Sequence, residues 1–216
     1  MGLFGKKEAC PVCGGEVKGL FNKKIADKKT LCKDCSNQVS MKKELLKTAT
    51  PEYMREHLEY RKKNAVKFNA LRWDVKLEAR ATKMGVDPSA GFLYLIDDEM
   101  DNSENPLVLS FDQIAHYELY RMKKRVDDSD TPGPTALESG LSVLSSIAKL
   151  ANKDNRSLDY FRFVITTTDP YWPEIDIRIN FDSPDDVHGV FGFGKDLQQM
   201  CQVLKAAVRK EQVVLF

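Results

Sequence analysis

The spacing of hydrophobic and polar positions changes character twice along this chain. Over residues 51–70, Met54, Leu58, Ala65 and Phe68, continued by Leu71, recur on one helical face, and Arg55, Arg61, Lys62, Lys63 and Lys67 load the other. Thr50-Pro51-Glu52 supplies an N-cap, a proline at the first helical position and a first-turn acid, so the pattern predicts an amphipathic helix. From Trp73 the period drops to two: Trp73, Val75, Leu77 and Ala79 alternate with Asp74, Lys76 and Glu78. Strands are predicted at 73–79, 91–97, 107–111, 114–122, 158–168 and 174–181, separated by turn residues such as Asn105-Pro106 and Asp169-Pro170. In the last strand Ile175, Ile177, Ile179 and Phe181 face inward. A helical period returns at 195–211, where Leu197, Met200, Cys201, Leu204, Ala207 and Val208 form a stripe.

Short antiparallel strands with one polar face predict a strongly bent sheet or small barrel, and the last stripe predicts a helix capping its open end. Residues 123–157 interrupt the strands. The first part, through Pro134, is charged and turn-rich. Residues 135–151 read as an inserted helix with Leu137, Leu141, Leu144 and Ala148 on its apolar face. That face predicts packing on its own barrel, or a protein partner or a second copy of the chain. One lysine on its polar face, Lys149, argues against a membrane surface.

Residues 1–45 follow neither period, and chemistry replaces it. Cys10-Pro-Val-Cys13 and Cys32-Lys-Asp-Cys35 are two C-x-x-C pairs separated by eighteen residues. Two thiolates at that spacing chelate one ion and two pairs complete a tetrahedron, which is the pattern of a structural zinc site. Gly14-Gly15 supplies the turn a chelating knuckle needs. Val17, Leu20, Phe21 and Ile25 are too few for a core, so one zinc ion is expected to supply the folding free energy, with iron as the alternative for four sulfurs. Four thiolates leave no open coordination position, so the expected role is structural. A knuckle, a hairpin and a helix at the second pair would form a treble-clef or zinc-ribbon module. The fifth cysteine, Cys201, reads as a small buried hydrophobe.

Net charge over 216 residues is +1, which hides an asymmetry. Residues 1–72 carry seventeen Lys/Arg against eight Asp/Glu, and the remainder sixteen against twenty-four. Lys23, Lys24, Lys28, Lys29 and Lys33 surround the cysteines and form the candidate surface for nucleic acid or another partner. Lys123-Lys124-Arg125 is a weaker candidate for anionic lipid, since acids follow it directly. No run of about eighteen apolar residues occurs and the first residues do not read as a signal peptide, which gives the expectation of a cytoplasmic chain. His57, His116 and His188 are scattered, and no nucleophile-elbow, metalloprotease or phosphate-loop motif is found, so the chain is expected to be no enzyme.

The opening MGLFGKK, followed by CPVCGG at 10–15 and LCKDC at 31–35, resembles an uncharacterised bacterial family. Its members begin with a short four-cysteine domain of unknown function, presumed to bind zinc. Residues 107–119, LVLSFDQIAHYEL, are similar to a stretch of bacterial pleckstrin-homology-like domains. That resemblance implies a bent barrel with one C-terminal helix, from which the insertion at 123–157 departs.

These readings combine into an α+β chain: a zinc module at 1–45, a basic linker helix at 46–72 and a pleckstrin-homology-like body at 73–216. The function expected is a non-enzymatic adaptor making protein–protein contacts. The alternatives are nucleic-acid binding through the basic module and lipid-headgroup binding through the barrel loops.

Overall fold

A computed structural model describes residues 8–19, 22–79, 82–97, 100, 104–122, 135–136, 160–180 and 187–212. The chain divides into two compact units, Met1–Ala70 with Met100–Leu107, and Leu71–Glu99 with Val108–Phe216. The expected loop at 123–134 lies outside the described residues, as do Leu20, Phe21 and the helical positions Leu137, Leu141, Leu144 and Ala148.

Among the described residues the α-helices of the first unit are α1 (Lys33–Gln38), α2 (Lys43–Thr48) and α3 (Pro51–Ala70). The N-cap of α3 is as expected: Thr50 Oγ1 accepts from the Tyr53 amide at 3.2 Å. Its buried face is not. The buried residues are Met54, His57, Arg61 and Asn64, at helical spacings of three and four, while Leu58, Ala65 and Phe68 are only half-buried. Arg61, expected among the outward cations, is 1% exposed.

The reason is what this face meets. Arg61 Nη2 donates to the Asn105 carbonyl, and Asn105 Nδ2 returns a bond to the Arg61 carbonyl at 2.9 Å. Asn64 Nδ2 donates to the Pro106 carbonyl at 2.7 Å. Nearer the start of α3, His57 Nε2 accepts from the Ser40 amide at 3.1 Å. The helix is packed against backbone, and buried backbone groups need polar partners. A helix expected to join two units is therefore built into the first one.

Among the described residues of the second unit, eight strands form two antiparallel sheets. One has the order β1 (Val75–Ala79), β2 (Thr82–Asp87), β3 (Phe92–Ile96), β4 (Leu107–Ser110). The other runs β6 (Thr135–Ala136), β5 (Ile114–Met122), β7 (Tyr160–Thr167), β8 (Glu174–Asn180). Among the described residues no pairing closes these sheets into the expected barrel. β4 gives way to a tight turn at Phe111–Gln113, stabilised by a Ser110–Gln113 capping box. β5 then pairs along its length with β7 and, at Tyr120 and Arg121, with β6, and belongs to the other sheet from β4.

Two strands differ from expectation. Residues 135–136 begin no helix but pair with Arg121 and Tyr120 of β5. β2 is hidden in the sequence by Lys83, Gly85 and Asp87, yet it is the buried strand between β1 and β3. Its polar ends are bonded: Thr82 Oγ1 donates to Asp97 at 3.0 Å, and Asp87 accepts from the Arg72 and Ala90 amides at 3.0 and 2.9 Å.

The closing helix, α4 (Val187–Arg209), begins earlier than 195, with the Gly192 and Gly194 backbone inside it. Its Leu197, Met200, Val203, Leu204 and Ala207 are buried, and it packs on β1, β5 and the Phe111–Gln113 turn. Leu77, Leu119, Phe161, Phe163, Ile165 and Ile177 complete an ordinary apolar core. Cys201 is buried in it, and burial pushes its thiol up to about 12, as a small hydrophobe requires.

Two predictions follow from packing. Gly85 stands opposite Tyr94, and a Cβ there would lie 1.9 Å from the Tyr94 ring, which also packs edge-on to Trp73. Gly85→Ala should destabilise the second unit by about 1–3 kcal/mol in urea unfolding, through overpacking. His57 is held down to about 3, by burial first and then by Arg61 and Lys23, from an ordinary value of 6.5. The unfolded chain therefore takes a proton that the folded chain refuses. The stability His57 contributes is complete above pH 6.5 and is lost as pH falls toward 3, at no more than about 1.4 kcal/mol per pH unit. His57→Gln keeps an acceptor for the Ser40 amide without the titration. Unfolding free energies at pH 7 and pH 5 should differ less in the variant than in the parent.

Candidate metal centre

Each cysteine pair is presented by its own short hairpin. The first is closed by a bridge between Ala9 and Glu16, and the Val17 amide donates to the Glu8 carbonyl at 2.9 Å. Within it the Cys10 amide donates to Gly15 O at 2.7 Å, and the Gly14 amide to Cys10 O at 2.8 Å. Gly14 sits at φ +75°, where a side chain would be strained. Gly15 turns its amide onto Cys13 Sγ at 3.4 Å, and a Cβ at Gly15 would lie 3.3 Å from that sulfur.

The second hairpin bridges Lys24 to Thr30 and leads directly into α1. Cys32 is the N-cap of that helix, and its Sγ accepts from the Cys35 amide at 3.5 Å. The helix thus begins at the second pair, as the spacing predicts. Leu31 and Ile25 anchor this hairpin in the small core, with Val39, Met41, Ala49 and Met54.

The two hairpins bring four sulfurs together. All four Sγ atoms lie within 4.8 Å of one another, and Cys13 Sγ is 3.5 Å from Cys32 Sγ. A tetrahedron with metal–sulfur bonds of about 2.3 Å has edges of about 3.8 Å, so the donor set fits a tetrahedrally bound ion. Cys10, Cys32 and Cys35 are buried and Cys13 is exposed. Burial pushes the Cys10 thiol up, but amide hydrogen bonds from Cys13, Cys32 and Val12 outweigh it and bring it down to about 6. Cys35 is driven upward by burial first, then by its bonds to Cys13 and Cys32 and the charge on Cys10. Four sulfurs this close resist carrying four negative charges unless a cation joins them.

The surrounding cations divide into two kinds. Lys24, Lys28, Lys29 and Lys33 are exposed, Lys29 lying 3.5 Å from Asp27. Lys23, singled out with them, is half-buried and donates to the Val39 carbonyl at 2.9 Å, where it caps α1. Sequence reasoning missed Arg55. From α3 it donates to the Val12 carbonyl at 3.3 Å and the Pro11 carbonyl at 3.2 Å, the two residues between the first cysteines, while Glu52 holds it at 3.2 Å. A cation at a spacing of forty-odd residues leaves no local signal. Of the scattered histidines, His116 is exposed beside Glu118 in the other unit.

A family model described as a domain of unknown function, DUF4428, matches residues 8–57. The match spans both cysteine pairs and runs into α3 through Arg55 and His57. No curated protein and no solved structure matches the chain.

Arg55→Ala should loosen the first hairpin without touching a ligand. Loss of about 1 kcal/mol of hydrogen bonding predicts metal transfer to a competing chelator roughly fivefold more readily. Arg55→Lys, which cannot bridge both carbonyls in the same way, should fall between.

Proposed function

We propose that this chain is a non-enzymatic adaptor whose first unit is shaped by one structural zinc ion. The observation that carries this reading is the convergence of four cysteine sulfurs, three of them buried, with amides rather than further side chains completing their hydrogen bonding. A donor set of four thiolates saturates a tetrahedral ion and leaves no position for water or substrate. Zinc is preferred over iron because it is the usual tenant of such structural sites. Both need reduced thiols, which supports a cytoplasmic location.

The finer fold readings belong to the same proposal. A cysteine hairpin, a second hairpin and a helix capped by the third cysteine follow the order of a treble clef. Two four-stranded antiparallel sheets followed by one long helix support a pleckstrin-homology-like second unit. Support for the non-enzymatic reading comes from the histidines: His57 is buried, neutral and engaged with Ser40, and His116 stands exposed on a strand. Protein contact is preferred to nucleic acid because several cations of the first unit have partners within the chain, while Lys24, Lys28, Lys29 and Lys33 stay exposed. Lys23 caps α1, Arg61 is buried, and Lys18 pairs with Glu16 at 2.9 Å.

The test has two parts. Elemental analysis of the purified chain should return about one zinc per chain; iron instead would transfer the site to the rubredoxin class. Titration of the intact chain with DNA and RNA at two salt concentrations should give no salt-dependent affinity. A steep salt dependence would replace the adaptor reading with phosphate-backbone binding by Lys24, Lys28, Lys29 and Lys33.

A further inference from the structure

We propose that Cys13 is a site of oxidative modification, at which a hydroperoxide is reduced and a Cys13–Cys32 disulfide displaces the bound ion. This rests on the metal-centre reading above and goes beyond it, because it makes the centre reactive as well as structural.

Three independent observations single out Cys13. It is the exposed member of the four; Cys10, Cys32 and Cys35 are 2%, 6% and 4% exposed. The backbone beside it is open: among the described residues a Cβ built on Gly14 meets no atom within 4 Å. Its sulfur is also 3.5 Å from that of Cys32, within a cluster spanning up to 4.8 Å. Cys201, the remaining cysteine, is buried in the apolar core of the second unit and does not compete.

With an ion bound all four cysteines are thiolates, so access rather than acidity ranks them. The Cys13 thiolate attacks the distal oxygen of the hydroperoxide. The S–O bond forms, the O–O bond breaks, and the alkoxide takes a proton and departs as an alcohol. Cys13 is thereby oxidised by two electrons to the sulfenic acid. The Cys32 thiolate then attacks the Cys13 sulfur. The S–S bond forms, the S–O bond breaks, and hydroxide leaves to be protonated to water. Two thiolates have become one disulfide, and the hydroperoxide has become alcohol and water. Cys10 and Cys35 alone cannot saturate the ion, which leaves as a dication. Because Cys32 is the N-cap of α1, the change is delivered to the start of that helix.

The experiment uses the full chain. Its metal content is measured first, then hydrogen peroxide is added in increments with a chromogenic chelator present. Samples are blocked with an alkylating agent and the cysteines mapped by mass spectrometry. The expected result is a first-formed Cys13–Cys32 disulfide, with loss of about one ion per disulfide, and preferential alkylation of Cys13 in the untreated chain. A different first pair, such as Cys10–Cys35, or Cys13 alkylation no faster than at the buried three, overturns the proposal. Disulfide formation with the ion retained overturns its release step. A chain that carries no metal at the outset defeats the metal-centre reading, and the thiol map still decides the order of attack.

Discussion

Convergence of four sulfurs is the constraint on which the first unit depends. Its apolar core is small: Ile25, Leu31, Val39, Met41, Ala49 and Met54 are its buried aliphatic members near the cysteines. Such a core does not by itself offset the entropy of ordering two hairpins and three helices. An ion held by these four thiolates would contribute on the order of 10–16 kcal/mol and would tie together loops that share little else. The glycines and amides around the cysteines are arranged to this end. Gly14 provides the left-handed turn, Gly15 brings its amide to sulfur, and the Cys35 amide does the same for Cys32.

Around that centre the unit is held by polar contacts rather than by a second apolar layer. Arg55 grips the carbonyls of the first knuckle, Lys23 caps α1, and His57 receives the Ser40 amide. Farther along α3, Arg61 and Asn64 bind the backbone of Asn105 and Pro106. These groups are costly to bury unless bonded, and they suit a helix whose neighbours are loops, since loops present carbonyls and amides. The domain of unknown function that matches residues 8–57 ends within this helix, so the matched segment includes Arg55 and His57 as well as the four cysteines.

The second unit is stabilised differently. Its sheets bury alternating aliphatic and aromatic residues, and α4 covers them with a broad apolar stripe. No metal enters that account, because Phe161, Phe163, Ile165, Ile177, Leu197 and Leu204 provide burial of the ordinary kind. Its local irregularities have local causes. Gly85 makes room for the Tyr94 ring across the strand pair, and Asp87 and Asp169 bind the amides of the turns that follow them. Among the described residues no helix is long and apolar enough to cross a membrane.

Much of this was legible along the chain, for identifiable reasons. The cysteine spacing named the donor set because chelation by two residues three apart is a local geometric fact. Strands β5 and β8 and the stripe of α4 were legible because an element that buries apolar side chains repeats at its own period. β2 was not, because Lys83, Gly85 and Asp87 break the alternation, and its burial comes from standing between β1 and β3. Nor was the buried face of α3: periodicity pointed to Leu58 and Phe68, and the structure buries His57, Arg61 and Asn64. Asn64 meets Pro106 across 42 positions, and Arg55 meets Val12 across 43. By itself the sequence determined the candidate donor set and the elements whose periods are self-contained. Only tertiary structure decided which polar residues are inside and which strands pair, because both depend on partners that are distant along the chain and chosen by hydrogen bonding rather than by hydrophobicity.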